Sequence, residues 1–192
     1  MLQTSVVCRL LLADCLLLAS FAIVAVPAVR ASGCVPAATA PAVSPTKEAL
    51  RQAARSVVRE INQERADRKR PRLRIDRRLE RAGGRHARDM VRRGFFSHLT
   101  PDGRGITERA QAAGYLHNAA TWGLGETLAW GAGTGSTPAA IVTAWMDSPA
   151  HRQILLSRPY RDVGIGVEPG TPFAPSLDSA ATYAAELGFV GP

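Results

Sequence analysis

Three residues, His98, Glu126 and His151, are the strongest candidates for chemistry in this chain. Two imidazoles and one carboxylate are a suitable ligand set for a zinc ion that keeps its fourth position open. The same groups could instead form a hydrogen-bonded network in which Glu126 orients one imidazole. They lie far apart in the sequence and share no short ligand motif, so both interpretations stay open.

The residues around His151 predict how it is presented. Ser148 suits a helix N-cap and Pro149 suits the first helical position, which places His151 in the first turn of a short helix. The positive end of a helix lowers the pKa of an imidazole. A nearby Glu126 would reverse that sign. Ser148 is therefore a fourth candidate for the cleft, although capping would compete for its oxygen.

A nucleophile for catalysis is hard to find. Ser97 adjoins His98, but neighbours in an extended segment point to opposite faces, which makes them a poor pair for proton transfer. The three cysteines all precede position 35. Binding is therefore a better expectation than hydrolysis.

The N-terminus resembles an export signal. An almost wholly apolar run over 10–24 follows Arg9, and small residues end the segment near Ala31. This pattern predicts a cleaved signal peptide over 1–31 and a secreted, extracellular or periplasmic product. Cys34 offers lipid anchoring as a minority alternative.

Composition divides the remainder into two parts. Residues 32–47 are rich in proline and alanine, which is typical of an extended linker. Residues 48–190 contain the amphipathic segments and form the predicted domain, for which a monomer is expected. With its cysteines outside this domain, the domain must be held together by its core.

Positive charge is concentrated in one region. Residues 51–93 carry sixteen Lys/Arg against six Asp/Glu, a net of +10, whereas residues 94–192 have a net of −3. Peripheral contact of the 51–93 region with an anionic membrane or envelope polymer is one interpretation. Solvation of two amphipathic helices is the other, and it is favoured because the charges are spaced around apolar stripes. Nucleic acid is not expected as a partner, because no aromatic residue precedes Phe95 in this region.

Periodicity predicts helices early in the chain and strands late. Apolar residues recur at helical spacing in segments that begin at Thr46, Asp76, Ile106 and Thr137. Short β-type segments over 163–167 and 181–189 predict an antiparallel hairpin with a long connection. The fold class is therefore α+β, with helices packed on a small antiparallel sheet. The glycine-rich segment 123–133 carries no assigned element.

A set of ordered fragments resembles the bacterial branch of the CAP superfamily, also called SCP domains. The fragments span roughly 48–190 and are, in chain order, His86-Ala87-x-Asp89-Met90, Gly94-Phe95-Phe96-Ser97-His98, Pro101-Asp102-Gly103, Arg109, Gly114-Tyr115, Gly125-Glu126, Trp145-Met146-x-Ser148-Pro149-x-His151-Arg152 and Val163-Gly164-x-Gly166. Each is weak alone, but their order and spacing together are specific.

This resemblance implies a three-layer α-β-α sandwich with a cleft that carries two histidines and two acidic residues. His98, Glu126 and His151 match three of these positions, and Ser148 stands where the second acid is usual in eukaryotic members. The resemblance also implies divalent metal binding in some relatives, and His98, Glu126 and His151 would be the ligands here.

Aromatic residues near the glycine-rich segment suggest a ligand groove. Tyr115, Trp122 and Trp130 could line an apolar surface for a lipid tail or a sugar ring.

The leading hypothesis is a binding module for a lipid or a cell-envelope component. A hydrolase that uses zinc or another divalent metal is the alternative, and a structural extracellular domain without a ligand is the second alternative.

Overall fold

The computed structural model describes residues 45–192. The predicted signal peptide, Cys34 and most of the predicted linker lie outside the described residues, so those expectations stay predictions. Among the helices of residues 45–192, none combines the length and the apolar character that crossing a membrane requires.

Five helices and four strands make up this part of the chain. In order they are α1 Lys47–Asp67, β1 Arg74–Ile75, α2 Arg77–Arg93, α3 Ile106–Ala112, β2 Thr121–Ala132, α4 Pro138–Asp147, α5 Pro149–Leu155, β3 Asp162–Pro169 and β4 Ala180–Gly191. A 3₁₀ turn at Gly133–Ser136 connects β2 to α4.

Helix boundaries follow the predicted signals. The side chains of Thr46 and Thr137 accept hydrogen bonds from backbone N–H groups in the first turns of α1 and α4. Asp76 does the same for α2. Gly94 ends α2 in the left-handed conformation, with φ at 67°.

The sheet has the strand order β1-β3-β4-β2. Strands β3 and β4 form the predicted antiparallel hairpin, and β4 also pairs antiparallel with β2. The predicted small antiparallel sheet is confirmed for β2, β3 and β4, and the two-residue strand β1 adds a parallel partner to β3 at one edge.

The glycine-rich segment that carried no assigned element forms β2, a twelve-residue edge strand. Glycine lowers strand propensity, so the glycine-rich composition of this segment did not predict a strand. A Cβ at Gly125 would lie 2.6 Å from the Tyr160 hydroxyl, so this glycine permits close packing. Tyr160 Oη and Trp145 Nε1 donate to the carbonyls of Leu124 and Leu128 at 2.8 and 3.1 Å. These bonds occupy carbonyls of a strand that would otherwise present an open edge.

The sheet separates two layers of helices, as the three-layer α-β-α sandwich requires. Helices α1, α4 and α5 pack on one face around a cluster that includes Val57, Ile61, Trp145, Leu155 and Tyr183. Helices α2 and α3 cover the other face through two smaller clusters. Side chains alternate along β2 and β4, so each strand serves both layers.

Helix α2 lies unusually close to β3. A Cβ at Gly164 would come 2.1 Å from the backbone of Leu79, and one at Gly166 would come 2.2 Å from the backbone of Gly83. Only glycine permits this approach, and it holds the buried face of α2, including His86, against the sheet.

Candidate functional site

Two buried carboxylates face each other at the centre of the site. Glu126 on β2 is the register partner of Glu186 on β4. Glu126 is 5% exposed and Glu186 is fully buried. Two like charges directly across a strand pair would repel each other, so this arrangement favours a proton on one carboxyl group and a cation beside the other.

Arg109 of α3 supplies that cation. Its Nη2 donates to Glu126 Oε2, and its Nε donates to Glu186 Oε1 at 3.4 Å. Its Nη1 donates to the carbonyls of His98 and Arg104 at 2.9 and 3.2 Å. Arg109 therefore fixes both the carboxylate pair and the loop that carries His98.

His98 completes this network at the solvent side. Its Nδ1 lies 2.6 Å from Glu126 Oε1, and its side chain is 29% exposed. Nε2 has no hydrogen-bond partner within residues 45–192 and is free to bind a ligand, a proton or a metal ion.

His151 lies in the first turn of α5 and is buried. Burial lowers its pKa, and the electrostatic interaction with His98 lowers it further. The direction agrees with the sequence prediction, and burial is the larger of the two causes. Ser148 occupies the predicted N-cap position, yet its side chain makes no capping hydrogen bond. The expected competition for its oxygen is therefore absent.

Replacing His98 with glutamine should raise the pKa of His151, because the substitution removes one of the two causes of its depression. The pKa should still stay below the ordinary value of 6.5, since burial is the larger cause. NMR titration of the His151 ring protons measures this shift. An unchanged pKa would show that the two rings are electrostatically independent.

His86 is buried behind the network. Its Nε2 lies 3.0 Å from the Ser97 carbonyl and 3.8 Å from Glu126 Oε2. Burial lowers its pKa to about 4, so the ring is neutral at physiological pH. It helps to orient the segment before His98.

Glu186 holds a proton more tightly than an ordinary carboxyl group. Burial raises its pKa to about 8, Glu126 adds to the increase, and Arg109 opposes it. Its Oε2 has no hydrogen-bond partner in the described part of the chain. A protonated Glu186 leaves Arg109 and Glu126 as a neutral pair.

This raised pKa predicts a loss of stability with rising pH. Between pH 4.5 and about 8, the unfolded chain releases the Glu186 proton whereas the folded protein keeps it. The free energy of unfolding therefore falls through this window. In Glu186→Gln that fall should be largely abolished, as measured by urea unfolding at several pH values. Glu168→Gln, on the partly exposed rim of β3, should keep the wild-type profile.

A family comparison identifies the fold. The model of the cysteine-rich secretory protein family, CAP, matches residues 58–173, more than half of the chain. The chain belongs to the CAP family. The bacterial resemblance inferred from the ordered fragments is confirmed.

A curated protein similar to this CAP domain comes from a bacterium. The uncharacterized protein YkwD of Bacillus subtilis is 30% identical over 100 residues, which are 52% of this chain and 36% of that protein. The chain thus spans about a third of that relative's length.

Solved structures share the fold. An extracellular protein with an SCP domain from Bacillus anthracis is 21% identical with a TM-score of 0.57, covering 76% of this chain and 44% of that one. An outer surface protein of Borrelia burgdorferi is 19% identical with a TM-score of 0.57, covering 71% of this chain and 92% of that one.

The predicted metal ligands are arranged differently in this CAP domain from a simple three-ligand site. Within residues 45–192, no group of three or more His, Cys, Asp or Glu side chains is placed to hold one ion. Glu126 bonds to His98 and Arg109, and His151 makes no hydrogen bond to either histidine or Glu126 in the described residues. Metal binding stays a prediction.

The three predicted groove residues divide into two kinds. Tyr115 is fully buried, and its hydroxyl donates to Asp162 at 2.9 Å, which makes it a core residue. Trp122 and Trp130 are 45% and 42% exposed. They lie four residues on either side of Glu126 on the same face of β2, because strand side chains alternate.

Sequence reasoning missed two central residues. Arg109 was named only as one of the ordered fragments that resemble the CAP superfamily, and Glu186 was not among the candidate residues. Glu186 did leave a signal, since it is a single acid inside the otherwise apolar run 183–187. A buried carboxylate requires a partner, but only the fold shows that the partner is Arg109.

Proposed function

We propose that this CAP domain is an exported binding module that recognises a lipid or another cell-envelope component through the cleft of His98, Glu126 and His151. The proposal rests on the hydrogen bonds that Glu126 accepts. Both of its oxygens already accept hydrogen bonds, from His98 and from Arg109. The cleft therefore presents imidazole nitrogens, and Glu126 acts as a positioning group.

Imidazole groups and exposed tryptophans suit an amphipathic ligand. His98 can donate to or accept from a polar head group through Nε2. Trp122 and Trp130 offer apolar faces on the same side of β2. The predicted signal peptide and the extracellular or outer-surface relatives support a location at the envelope.

Co-sedimentation with lipid vesicles tests the proposal. The wild-type protein should bind vesicles that contain phosphatidylglycerol or sterol, and Trp122→Ala/Trp130→Ala and His98→Ala/His151→Ala should each weaken binding. Leu99→Ala serves as a matched control, because Leu99 is 49% exposed and lies outside the cleft residues. Absence of binding by the wild-type protein would favour a structural domain without a ligand.

A second candidate, a metal-assisted hydrolase, is supported by the geometry of His98. A carboxylate that holds one imidazole nitrogen commonly orients the other toward a metal ion, and here Glu126 holds Nδ1. Calorimetric titration with zinc decides between the candidates. Binding heat that disappears in His98→Ala/His151→Ala would support the metal site, whereas equal heat in both proteins would remove it.

A further inference from the structure

The outer face of α2 carries a row of arginines. They are Arg77, Arg81, Arg85, Arg88 and Arg92, hereafter the arginine ridge, and all five residues are exposed. Their spacing of four, four, three and four residues places them on one side of the helix. With a rise of about 1.5 Å per residue, the ridge is about 22 Å long.

Most of this charge is not neutralised. Arg88 lies 3.5 Å from Glu168, and Arg81 donates to the Ala113 carbonyl at 2.9 Å. Arg77, Arg85 and Arg92 form no salt bridge within residues 45–192. The apolar face of α2 is packed against the sheet, so nothing on this helix can insert into a bilayer.

A cavity opens beside the middle of the ridge. Its volume is about 220 Å³, and its polar lining consists of Arg85, His86, Asp89, Thr100, Arg104 and Arg109. The lining includes none of His98, Glu126 or His151, although Arg109 and His86 border both this cavity and the network behind the cleft.

The charge of the lining favours an anion. Three arginines border the cavity. Arg104 is paired with Asp102 at 2.7 Å and Arg109 with Glu126, so Arg85 is the lining arginine that has no salt bridge within residues 45–192. Asp89, the one lining carboxylate, is paired with Arg93 at 3.2 Å. His86 adds no donor for an anion: the neutral ring uses its Nε2–H for the Ser97 carbonyl, and its buried Nδ1, which has no partner in residues 45–192, carries a lone pair. A volume below the usual 300–1,000 Å³ of small-molecule pockets suits a single small group, such as one phosphate.

We propose that the arginine ridge and this cavity together bind a linear polymer with repeated phosphate groups, one of which enters the cavity. Arg85 belongs to both parts and connects them. A row of cations follows a chain of phosphates, and guanidinium groups bind phosphate oxygens in pairs. The absence of insertable apolar residues on this face favours a soluble polymer over a membrane surface.

Binding of long-chain inorganic polyphosphate tests the proposal. In Arg85→Glu/Arg88→Glu, affinity should fall by about tenfold or more, and the slope of log affinity against log salt should decrease by about two. Arg55→Glu/Arg59→Glu is the matched control, since it makes the same charge change at exposed positions of α1, across the sheet. The control should stay within about twofold of wild type apart from a small general charge effect.

A second substitution tests the cavity without changing the charge of the protein. Ala112→Leu would place extra carbon atoms at the cavity lining, and it should weaken polyphosphate binding and the amide shifts that inorganic phosphate induces near Thr100. Full binding by Ala112→Leu would overturn the role of the cavity. Equal losses in the ridge variant and its control would overturn the ridge. Binding to phosphatidylglycerol vesicles without binding to polyphosphate would replace the polymer with a membrane.

These tests are separate from those of the cleft. The arginine ridge variants keep Trp122, Trp130, His98 and His151 intact, so failure of the polymer proposal leaves the cleft proposal standing. Likewise, failure of the cleft proposal leaves the polymer proposal standing.

Discussion

Replacement of Arg109 with methionine should lower the free energy of unfolding by about 3–5 kcal/mol, because it leaves the buried Glu126 carboxylate without its cation. Glu126 and Glu186 are register partners, and Arg109 donates to both. Urea unfolding monitored by tryptophan fluorescence measures the loss. His98 should also lose its fixed position, since Arg109 holds its carbonyl.

Glutamine substitutions provide the control for Arg109. Combining Arg109→Met with Glu126→Gln and Glu186→Gln removes the buried negative charges and should recover much of the lost stability. If Arg109→Met alone costs less than about 1 kcal/mol, the carboxylates do not depend on the arginine. In that case the Arg109–Glu126–Glu186 network does not stabilise the fold.

The second large effect is expected at Arg65, which is fully buried at the end of α1. Its guanidinium donates to the carbonyls of Pro71, Ser157 and Tyr160 at 2.7, 3.2 and 3.3 Å, and also to that of Leu155. Burial and neighbouring arginines lower its pKa to about 10, so it is still charged at neutral pH. Arg65→Met should cost about 3 kcal/mol or more, because it leaves several buried carbonyls unpaired.

Lysine separates charge from geometry at this position. Arg65→Lys should recover only part of the stability that Arg65→Met loses, since a single ammonium cannot reach the Pro71 carbonyl and the carbonyls of 155–160 at the same time. Arg59→Met, at an exposed position of the same helix, should change stability by less than about 0.5 kcal/mol. Full recovery by lysine would contradict the importance of the guanidinium fork.

Arg65 also connects stability to the site. Three of the four carbonyls that it binds belong to the segment 155–160, at and just after the end of α5. Helix α5 carries His151, so the arginine anchors one side of the cleft. We therefore expect Arg65→Met to alter the environment of His151 as well as the stability of the fold.

Local signals in the amino-acid sequence were sufficient to predict the features that depend on neighbouring residues. Side-chain caps at Thr46, Asp76 and Thr137 and the glycine after α2 determined where helices begin and end. The β3–β4 hairpin followed from β-branched and aromatic residues. The ordered fragments were sufficient to indicate the CAP family before any coordinates.

Tertiary structure alone decided the features that depend on distant partners. Strand β2 contains three glycines that favour a loop locally, and it becomes a strand because β4 pairs along its whole length. Glu126 is a structural carboxylate because Arg109 and Glu186, remote in sequence, meet it in the core. Long-range pairing and desolvation have no local signature, and they decide which of the predicted polar residues can meet a ligand.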